Sequence, residues 1–250
     1  MSAGDLNAWV ALIGFILGVG TGTIMLKKGS TLGRAHETNQ ASGTVLPILM
    51  IGVLILALFT SLLKSSTAGP GSMHAPIIAS LIGGLVFGAF AQKSRMCFAG
   101  GIRDVILMKN FDLLTIIGSL FVVMLIFNIA TGRFVLGFNT PGIIAHSNHL
   151  WNILGMYAVG FAAVLAGGCP LRQLILAGQG SSDSAVTVLG MFFAAALCHN
   201  FGLASSGTAM NAETGELVAG AVTPNGKVAC IICIIACFII AFTNKREQAK

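Results

Sequence analysis

Two cysteines occupy matched positions in the two halves of this chain. Cys169 follows Cys97 by 72 positions, and each lies nine residues after a glycine, Gly88 in the first copy and Gly160 in the second. A thiol is a weak hydrogen-bond donor that is small enough to line a narrow apolar passage. Its repetition at equivalent places in an apolar chain suggests a polar path through a membrane.

An arginine follows each cysteine, Arg103 in the first copy and Arg172 in the second. A guanidinium at membrane depth costs about 2.5–3.5 kcal/mol on insertion scales, so it usually serves a transport path or an ion pair. Arg103 has Asp104 beside it, which weakens it as an anion receptor. Arg172 has no acidic neighbour before Asp183, and we assign it the larger role.

A packing role is the alternative interpretation of these residues. Glycines in apolar helices let neighbouring backbones approach, and a single buried cysteine commonly acts as a small hydrophobe. The repetition favours the functional interpretation, because further residues recur at the same interval. Gly118 and Asn128 are followed 72 positions later by Gly190 and Asn200.

The composition predicts an all-α polytopic membrane protein that forms one integral membrane domain over residues 1–250. Apolar residues make up 55% of the chain, charged residues 9%, and the mean hydropathy is +0.89. Seven apolar runs approach the length of about 20 residues that a helix needs to cross a bilayer core of roughly 30 Å. They are Trp9–Leu26, Val45–Leu63, Pro76–Ala91, Leu113–Ile129, Trp151–Ala166, Ala185–Leu203 and Val228–Phe242.

Two shorter apolar segments begin at the cysteines, Cys97–Met108 and Cys169–Ala177. Each is too short to span the bilayer and is bracketed by glycine or proline, so we expect two re-entrant half-helices. Paired short segments at equivalent places in two halves indicate a transporter site. Pro170 suits the first position of a helix that starts after Cys169, and a helix N-terminus favours an anion. The predicted substrate path contains Cys97, Arg103, Gly168, Cys169, Pro170, Arg172, Gln173 and His199.

Two further groups of polar residues have competing interpretations. His199 lies in the sixth predicted span, where a histidine is a functional candidate by default. The equivalent residue of the first copy is Phe127, however, so a hydrogen bond to a neighbouring helix is the alternative. Cys230, Cys233 and Cys237 share one face of the last span. No fourth ligand lies nearby in the sequence, which favours small-residue packing over a metal or redox site.

Internal repetition organises the chain. The two copies cover about residues 76–132 and 148–204. Residues 8–36 form a possible degenerate third copy, because Gly14 and Gly18 recur 70 positions later, although no cysteine occurs there. The alternative is a glycine-packed helix that is followed by a basic loop.

The positive charges predict the orientation in the membrane. With the N-terminus outside and both half-helices returning to the side they left, eleven Lys and Arg residues lie inside and three outside, as the positive-inside rule requires. The inner set is Lys27, Lys28, Arg34, Lys93, Arg95, Arg103, Lys109, Arg172, Lys245, Arg246 and Lys250, and the outer set is Lys64, Arg133 and Lys227. The net charge of +6 therefore indicates topology and not nucleic-acid binding. We expect a multi-pass protein of the cell (inner) membrane with a cytoplasmic C-terminus.

Two strings of this sequence resemble a known family. MCFAGGIRD at residues 96–104 and AGGCPLRQLILAGQGSSDSAVTVLGMFFAAALCHNFGLASS at residues 166–206 are similar to the YeeE/YedE sulphur-transport family, most of all to its YedE branch linked with selenium metabolism. The resemblance implies uptake of a sulphur or selenium compound, with thiosulfate the substrate of related members. It also implies that the motif cysteines, here Cys97 and Cys169, line the conduction route. Many relatives carry a further motif cysteine near the N-terminus, where this chain has Lys27.

The sequence thus predicts a transporter or channel and not an enzyme. It contains no nucleotide-binding loop and no carboxylate dyad, and we expect no cofactor and no metal. The expected partners are the lipid bilayer and a thiosulfate-like sulphur or selenium oxyanion, which protonated thiols would pass along by hydrogen bonds. The alternative is a membrane sulphur acceptor that forms a persulfide on Cys169 and passes sulphur or selenium to a cytosolic TusA-like carrier protein.

Overall fold

Helices account for most of the residues that the computed structural model describes, which are 1–30, 32, 39–60, 75–138, 146, 148–204, 209–210, 217–218 and 220–244. The helices in these ranges are α1 Leu6–Lys27, α2 Gln40–Phe59, α3 Ile77–Lys93, α4 Phe98–Met108, α5 Asp112–Ala130, α6 His149–Leu165, α7 Pro170–Gly178, α8 Ser182–Asn200 and α9 Pro224–Thr243. Two strands of two residues each, β1 Ala209–Met210 and β2 Leu217–Val218, pair antiparallel. The prediction of an all-α polytopic membrane protein is confirmed.

Seven stretches of the described residues are long and apolar enough to cross a membrane. Five of them each correspond to one helix: α1, α2, α5, α8 and α9. The other two, Ile77–Met108 and His149–Gly178, each join a helix of 17 residues to a short one. Each predicted span corresponds to one long helix, and α2 ends at Phe59. The predicted end at Leu63 lies outside the described residues, as do the cations Arg34, Lys64, Lys245, Arg246 and Lys250.

The order of helix lengths repeats along the chain. The helices α3, α4 and α5 contain 17, 11 and 19 residues, and α6, α7 and α8 contain 17, 9 and 19. The short helices begin directly after Cys97 and Cys169, within one residue of the predicted half-helix boundaries. Each of the two predicted repeats therefore contains a long, a short and a long helix, and the internal repeat stays a prediction.

The chain divides into two compact units. The first contains residues 1–32, 97–169 and 195–250, and the second contains residues 33–96 and 170–194. Each unit has its own buried cluster of side chains, and the two are described separately below.

Close packing of α1 on α6 dominates the first unit. Asp5 caps α1, because its Oδ1 accepts the Asn7 N–H at 2.9 Å. A methyl group on Gly14 or Gly18 would overlap the backbone of α6, at Ile153 and Tyr157 respectively. Small residues therefore permit a backbone-to-backbone approach of these helices. The packing interpretation of the N-terminal glycines is thus supported.

Aromatic side chains build the core of the first unit. Phe161 is fully buried and clusters with Met25 and Ala241. Its ring meets the ring of Phe238 at a centroid distance of 4.9 Å in an edge-on arrangement, which is favourable for aromatic pairs. Cys237 packs against the same cluster, in agreement with a packing role for the cysteines of α9.

The second unit brings α2, α7 and α8 together. Its buried cluster consists of Leu46 from α2, Ala177 from α7 and Val188 from α8. Gly180 has φ +94° just after α7 and lies against the backbone of Gly43 in α2. Glycine adopts this left-handed conformation without the steric cost of a side chain. The short helix α7 is therefore held by packing along its length within this unit.

Candidate functional site

The segment before Cys169 ends α6 in a turn that depends on glycine. Gly167 has φ +78°, its N–H donates to the Val164 carbonyl at 3.1 Å, and the Gly168 N–H donates to the Ala163 carbonyl at 2.9 Å. Together these two hydrogen bonds form a Schellman motif, which favours glycine at its left-handed position. Gly168 thus closes the turn, and Cys169 is the first residue beyond it.

The segment before Cys97 ends α3 with the same hydrogen bonds. Arg95 has φ +53° and donates its N–H to the Gln92 carbonyl at 3.1 Å, and the Met96 N–H donates to the Ala91 carbonyl at 3.1 Å. Arginine here takes the left-handed position that glycine holds in the other copy. Each cysteine is therefore the first residue after a Schellman motif, a match that the sequence alone did not reveal.

Cys97 is the N-cap of α4. Its Sγ accepts the backbone N–H of Gly100 at 3.2 Å, which satisfies one of the unpaired donors at the start of the helix. The same Sγ accepts the backbone N–H of Cys169 at 3.4 Å. One sulphur atom thus joins the beginning of α4 to the second motif cysteine.

The two thiols meet in the interior of the first unit. Cys97 is 6% exposed and Cys169 is 2% exposed. The structure therefore brings together the two cysteines that the sequence placed 72 positions apart.

Two glycines at the start of α4 leave room for this arrangement. A methyl group on Gly100 would lie 3.1 Å from Cβ and 3.2 Å from Sγ of Cys97. A methyl group on Gly101 would lie 3.2 Å from Cδ1 of Ile117 in α5. Neither glycine was predicted as a site residue, although the doublet directly after the cysteine was a usable signal.

Arg103 is paired with its neighbour in the chain. Its Nη2 lies 2.9 Å from Oδ1 of Asp104, and its Nε donates to the same oxygen at 2.9 Å. Side-chain exposure is 32% for Arg103 and 15% for Asp104. The carboxylate thus offsets much of the positive charge of this arginine.

The remaining predicted path residues belong to α7 and α8. Pro170 is the first residue of α7, Gln173 is buried in that helix, and Arg172 is half-buried. These three belong to the second unit. His199 lies in the last turn of α8, where its side chain is exposed.

Comparison with known proteins places these features in a family. A family model described as sulphur transport matches residues 93–250, a range that includes both cysteines and both short helices. The chain belongs to this sulphur-transport family. The predicted YeeE/YedE membership is thereby confirmed.

Two curated relatives of this sulphur-transport protein carry the same name. The thiosulfate transporter TsuA of Escherichia coli (strain K12) is 30% identical over 112 residues, which cover 43% of this chain and 30% of the relative. The thiosulfate transporter TsuA of Spirochaeta thermophila (strain ATCC 700085 / DSM 6578 / Z-1203) is 31% identical over 101 residues, which cover 40% of this chain and 29% of the relative. The matches thus span about 30% of the length of each relative. No solved structure matches the chain.

Proposed function

We propose that this member of the sulphur-transport family conducts a thiosulfate-like oxyanion across the membrane past Cys97 and Cys169. The observation that carries the proposal is the contact between these cysteines, which joins thiols from two sequence repeats at one buried point. The names of the two relatives, both thiosulfate transporters, support the substrate class.

The chemistry of a thiol pair suits a large, soft and doubly charged anion. Such an ion gives up much of its hydration in a narrow apolar path, and conduction requires contacts that are strong enough to admit it and weak enough to release it. Thiols donate weak hydrogen bonds, in contrast to the firm ion pair of an ammonium group. Each protonated thiol carries one S–H that can donate to the terminal sulphur of the substrate.

The predicted residues that follow Cys169 along the chain remain part of the proposed path. The helix α7 begins at Pro170, and a helix N-terminus favours an anion. Arg172 adds positive charge in the first turn of α7, and Gln173 adds an amide. Gly168 sets the turn before Cys169. We assign Arg103 and the exposed His199 smaller roles.

The proposed path implies a membrane topology. Both short helices enter the membrane and return to the side they left, which places the N-terminus outside and the C-terminus in the cytoplasm. This arrangement satisfies the positive-inside rule for the eleven cations assigned to the inner face. The proposed location is the cell (inner) membrane.

Uptake into proteoliposomes tests the proposed function. The purified protein is reconstituted without any carrier protein, and uptake of thiosulfate, sulfite, selenite and selenide is compared. We expect thiosulfate to accumulate and uptake to fall about tenfold in Cys97→Ala and Cys169→Ala, because each loses a conducting donor. Cys169→Ser retains most uptake, since a hydroxyl also donates a hydrogen bond.

Cys233→Ala is the matched control, because Cys233 is exposed on α9 and lies outside the proposed path. Its uptake should equal that of the wild type. Equal uptake by the wild type and by the Cys97→Ala/Cys169→Ala double variant would refute the proposed function.

The sulphur-acceptor alternative predicts a different result. In that scheme Cys169 becomes a persulfide and transfers sulphur to a TusA-like carrier protein. The 2% exposure of Cys169 weighs against this transfer, because a carrier must reach the sulphur. A persulfide trapped on Cys169, with sulphur delivery only in the presence of the carrier, would replace the transport proposal by this alternative.

A further inference from the structure

The contact between Cys97 and Cys169 has a chemical consequence beyond hydrogen bonding. All six cysteines lie in the described part of the chain, and none of them is joined in a disulfide. Cys230, Cys233 and Cys237 lie on the single helix α9, where a regular backbone holds side chains apart. Cys97 and Cys169 are instead brought together from distant parts of the chain. This pair therefore has a geometry that the thiols of α9 lack.

The contact between the two cysteines favours a disulfide bond between them. A disulfide needs Cα atoms about 4.4–6.8 Å apart and side chains that point toward each other. The Cys169 amide nitrogen lies 3.4 Å from Cys97 Sγ, so the backbone of one cysteine contacts the sulphur of the other. Cys97 has the extended backbone of an N-cap, with φ −151° and ψ 116°, and Cys169 lies in the link between α6 and α7. Neither cysteine lies inside a regular helix.

We propose that Cys97 and Cys169 form a redox modification site, at which a small neutral peroxide converts the two thiols into a reversible disulfide. In the first step, Cys97 Sγ attacks one oxygen of hydrogen peroxide, the O–O bond breaks, and a sulfenic acid and one water are formed. In the second step, Cys169 Sγ attacks the oxidised sulphur, the S–O bond breaks, and a second water leaves. Two thiols and one hydrogen peroxide thus become one disulfide and two waters.

The hydrogen bonds around the pair assign the order of these steps. The sulphur of Cys97 accepts two backbone N–H groups, from Gly100 and Cys169. Fixed donors of this kind favour negative charge on the sulphur that they contact. In the proposal, Cys97 therefore has the attacking role and Cys169 has the resolving role. The burial of both side chains selects for a small uncharged oxidant.

The disulfide closes the proposed transport path, and this part of the inference rests on the proposed function. Oxidation removes both S–H donors and covalently joins the starts of the two short helices. Substrate then meets neither a donor nor an open passage. A dithiol reductant restores both thiols by thiol–disulfide exchange.

Mass spectrometry of the full-length protein tests the modification by itself. The wild type is treated with hydrogen peroxide, its remaining thiols are alkylated, and its peptides are mapped before and after dithiothreitol. We expect a crosslinked peptide pair that contains Cys97 and Cys169, loses two hydrogens, and disappears on reduction. Sulfenic acid trapping with dimedone should label Cys97 in the Cys169→Ala variant more strongly than Cys169 in the Cys97→Ala variant.

Two results would overturn the modification site. One is that both thiols stay reduced at a peroxide concentration that oxidises the exposed Cys233. The other is that Cys97 or Cys169 pairs predominantly with a cysteine of α8 or α9, or with another copy of the chain. A background variant with alanine at Cys198, Cys230, Cys233 and Cys237 isolates the pair, and the wild-type map remains decisive if that variant does not fold.

Uptake measurements then separate the two proposals. In the background variant, peroxide should reduce thiosulfate uptake about tenfold, and dithiothreitol should restore it, because the disulfide removes the donors that conduct the ion. A crosslink in a protein that shows no uptake in either redox state would contradict the proposed function and leave the modification site intact. Uptake that stays unchanged when the crosslink is complete would contradict the proposal that the disulfide closes the transport path.

Discussion

The two cysteine segments share a backbone and differ in the side chains that they place on it. Both follow a Schellman motif with matching hydrogen bonds, and both precede a short helix. The left-handed position holds Gly167 before Cys169 but Arg95 before Cys97. The two segments therefore have the same backbone conformation and hydrogen bonds, although the side chains at equivalent positions differ.

The arginines are a second point of difference. Arg172 lies three residues after Cys169, where the first copy has Gly100, whereas Arg103 lies six residues after Cys97. The two arginines are therefore not structural counterparts. One is ion-paired to Asp104, and the other stands in the first turn of α7. The first copy thus has a glycine at the position where the second copy has an arginine.

A methyl group added beside Cys97 in the first copy should have the largest effect on thiosulfate uptake. In Gly100→Ala the new methyl group lies 3.1 Å from Cβ and 3.2 Å from Sγ of Cys97, so the thiol must move. Because the Cys97 side chain must give way by a few tenths of an ångström while its Sγ also accepts the Gly100 and Cys169 N–H groups, we expect thiosulfate uptake to fall about tenfold.

Gly118→Ala in α5 is the matched control, since a methyl group there meets no atom within 4 Å. Uptake in proteoliposomes at equal protein incorporation measures both variants. Wild-type uptake by Gly100→Ala would show that the position of Cys97 does not matter for conduction.

Removing charge from the two copies should have unequal effects. We expect Arg172→Gln to lower uptake about fivefold, because it removes a cation that offsets the desolvation of the anion. Arg103→Gln should lower it less than about twofold, since Asp104 already neutralises that guanidinium. Initial uptake rates at low ionic strength provide the measurement. A larger loss in Arg103→Gln than in Arg172→Gln would reverse the assignment of roles.

Substitutions at the left-handed position of each turn should have the smallest effects. Gly167→Ala and Arg95→Gly should change the stability of the protein in opposite directions. Gly167→Ala introduces a side chain at φ +78°, which we expect to destabilise the protein by about 1 kcal/mol. Arg95→Gly relieves the corresponding cost at φ +53°, and we expect a gain of up to about 1 kcal/mol, reduced by the greater freedom of glycine in the unfolded chain. Thermal unfolding in detergent compares both with the wild type. Shifts of the same sign would mean that the two turns are not equivalent.

Much of the fold could be predicted because the bilayer imposes simple rules on a sequence. The runs Trp9–Leu26 and Leu113–Ile129 lie within α1 and α5, since only a helix can satisfy the backbone of an apolar segment in lipid. The half-helix boundaries followed from the two cysteines and from Pro170, which is a local signal for the start of a helix. The strand pair β1–β2 was missed, because its strands are only two residues long and lack a periodic pattern.

The site could be predicted only in part. The spacing identified Cys97 and Cys169 as equivalent, and the adjacent Asp104 indicated that Arg103 would be neutralised. The two Schellman motifs were not predicted, because Arg95 gives no sign in the sequence that it adopts a left-handed conformation. The role of Gly100 was also missed, because it depends on the rotamer of the Cys97 side chain.

Composition, local periodicity and spacing along the chain suffice to predict the membrane class, the long helices and the residue types available for transport chemistry. The three-dimensional packing is needed to show that the Cys169 N–H donates to Cys97 Sγ. Contacts over 72 positions depend on how α1, α4 and α6 pack, and that packing is set by side-chain volumes such as the missing methyl groups of Gly14 and Gly18. The proposed conduction and the proposed disulfide both follow from that one contact.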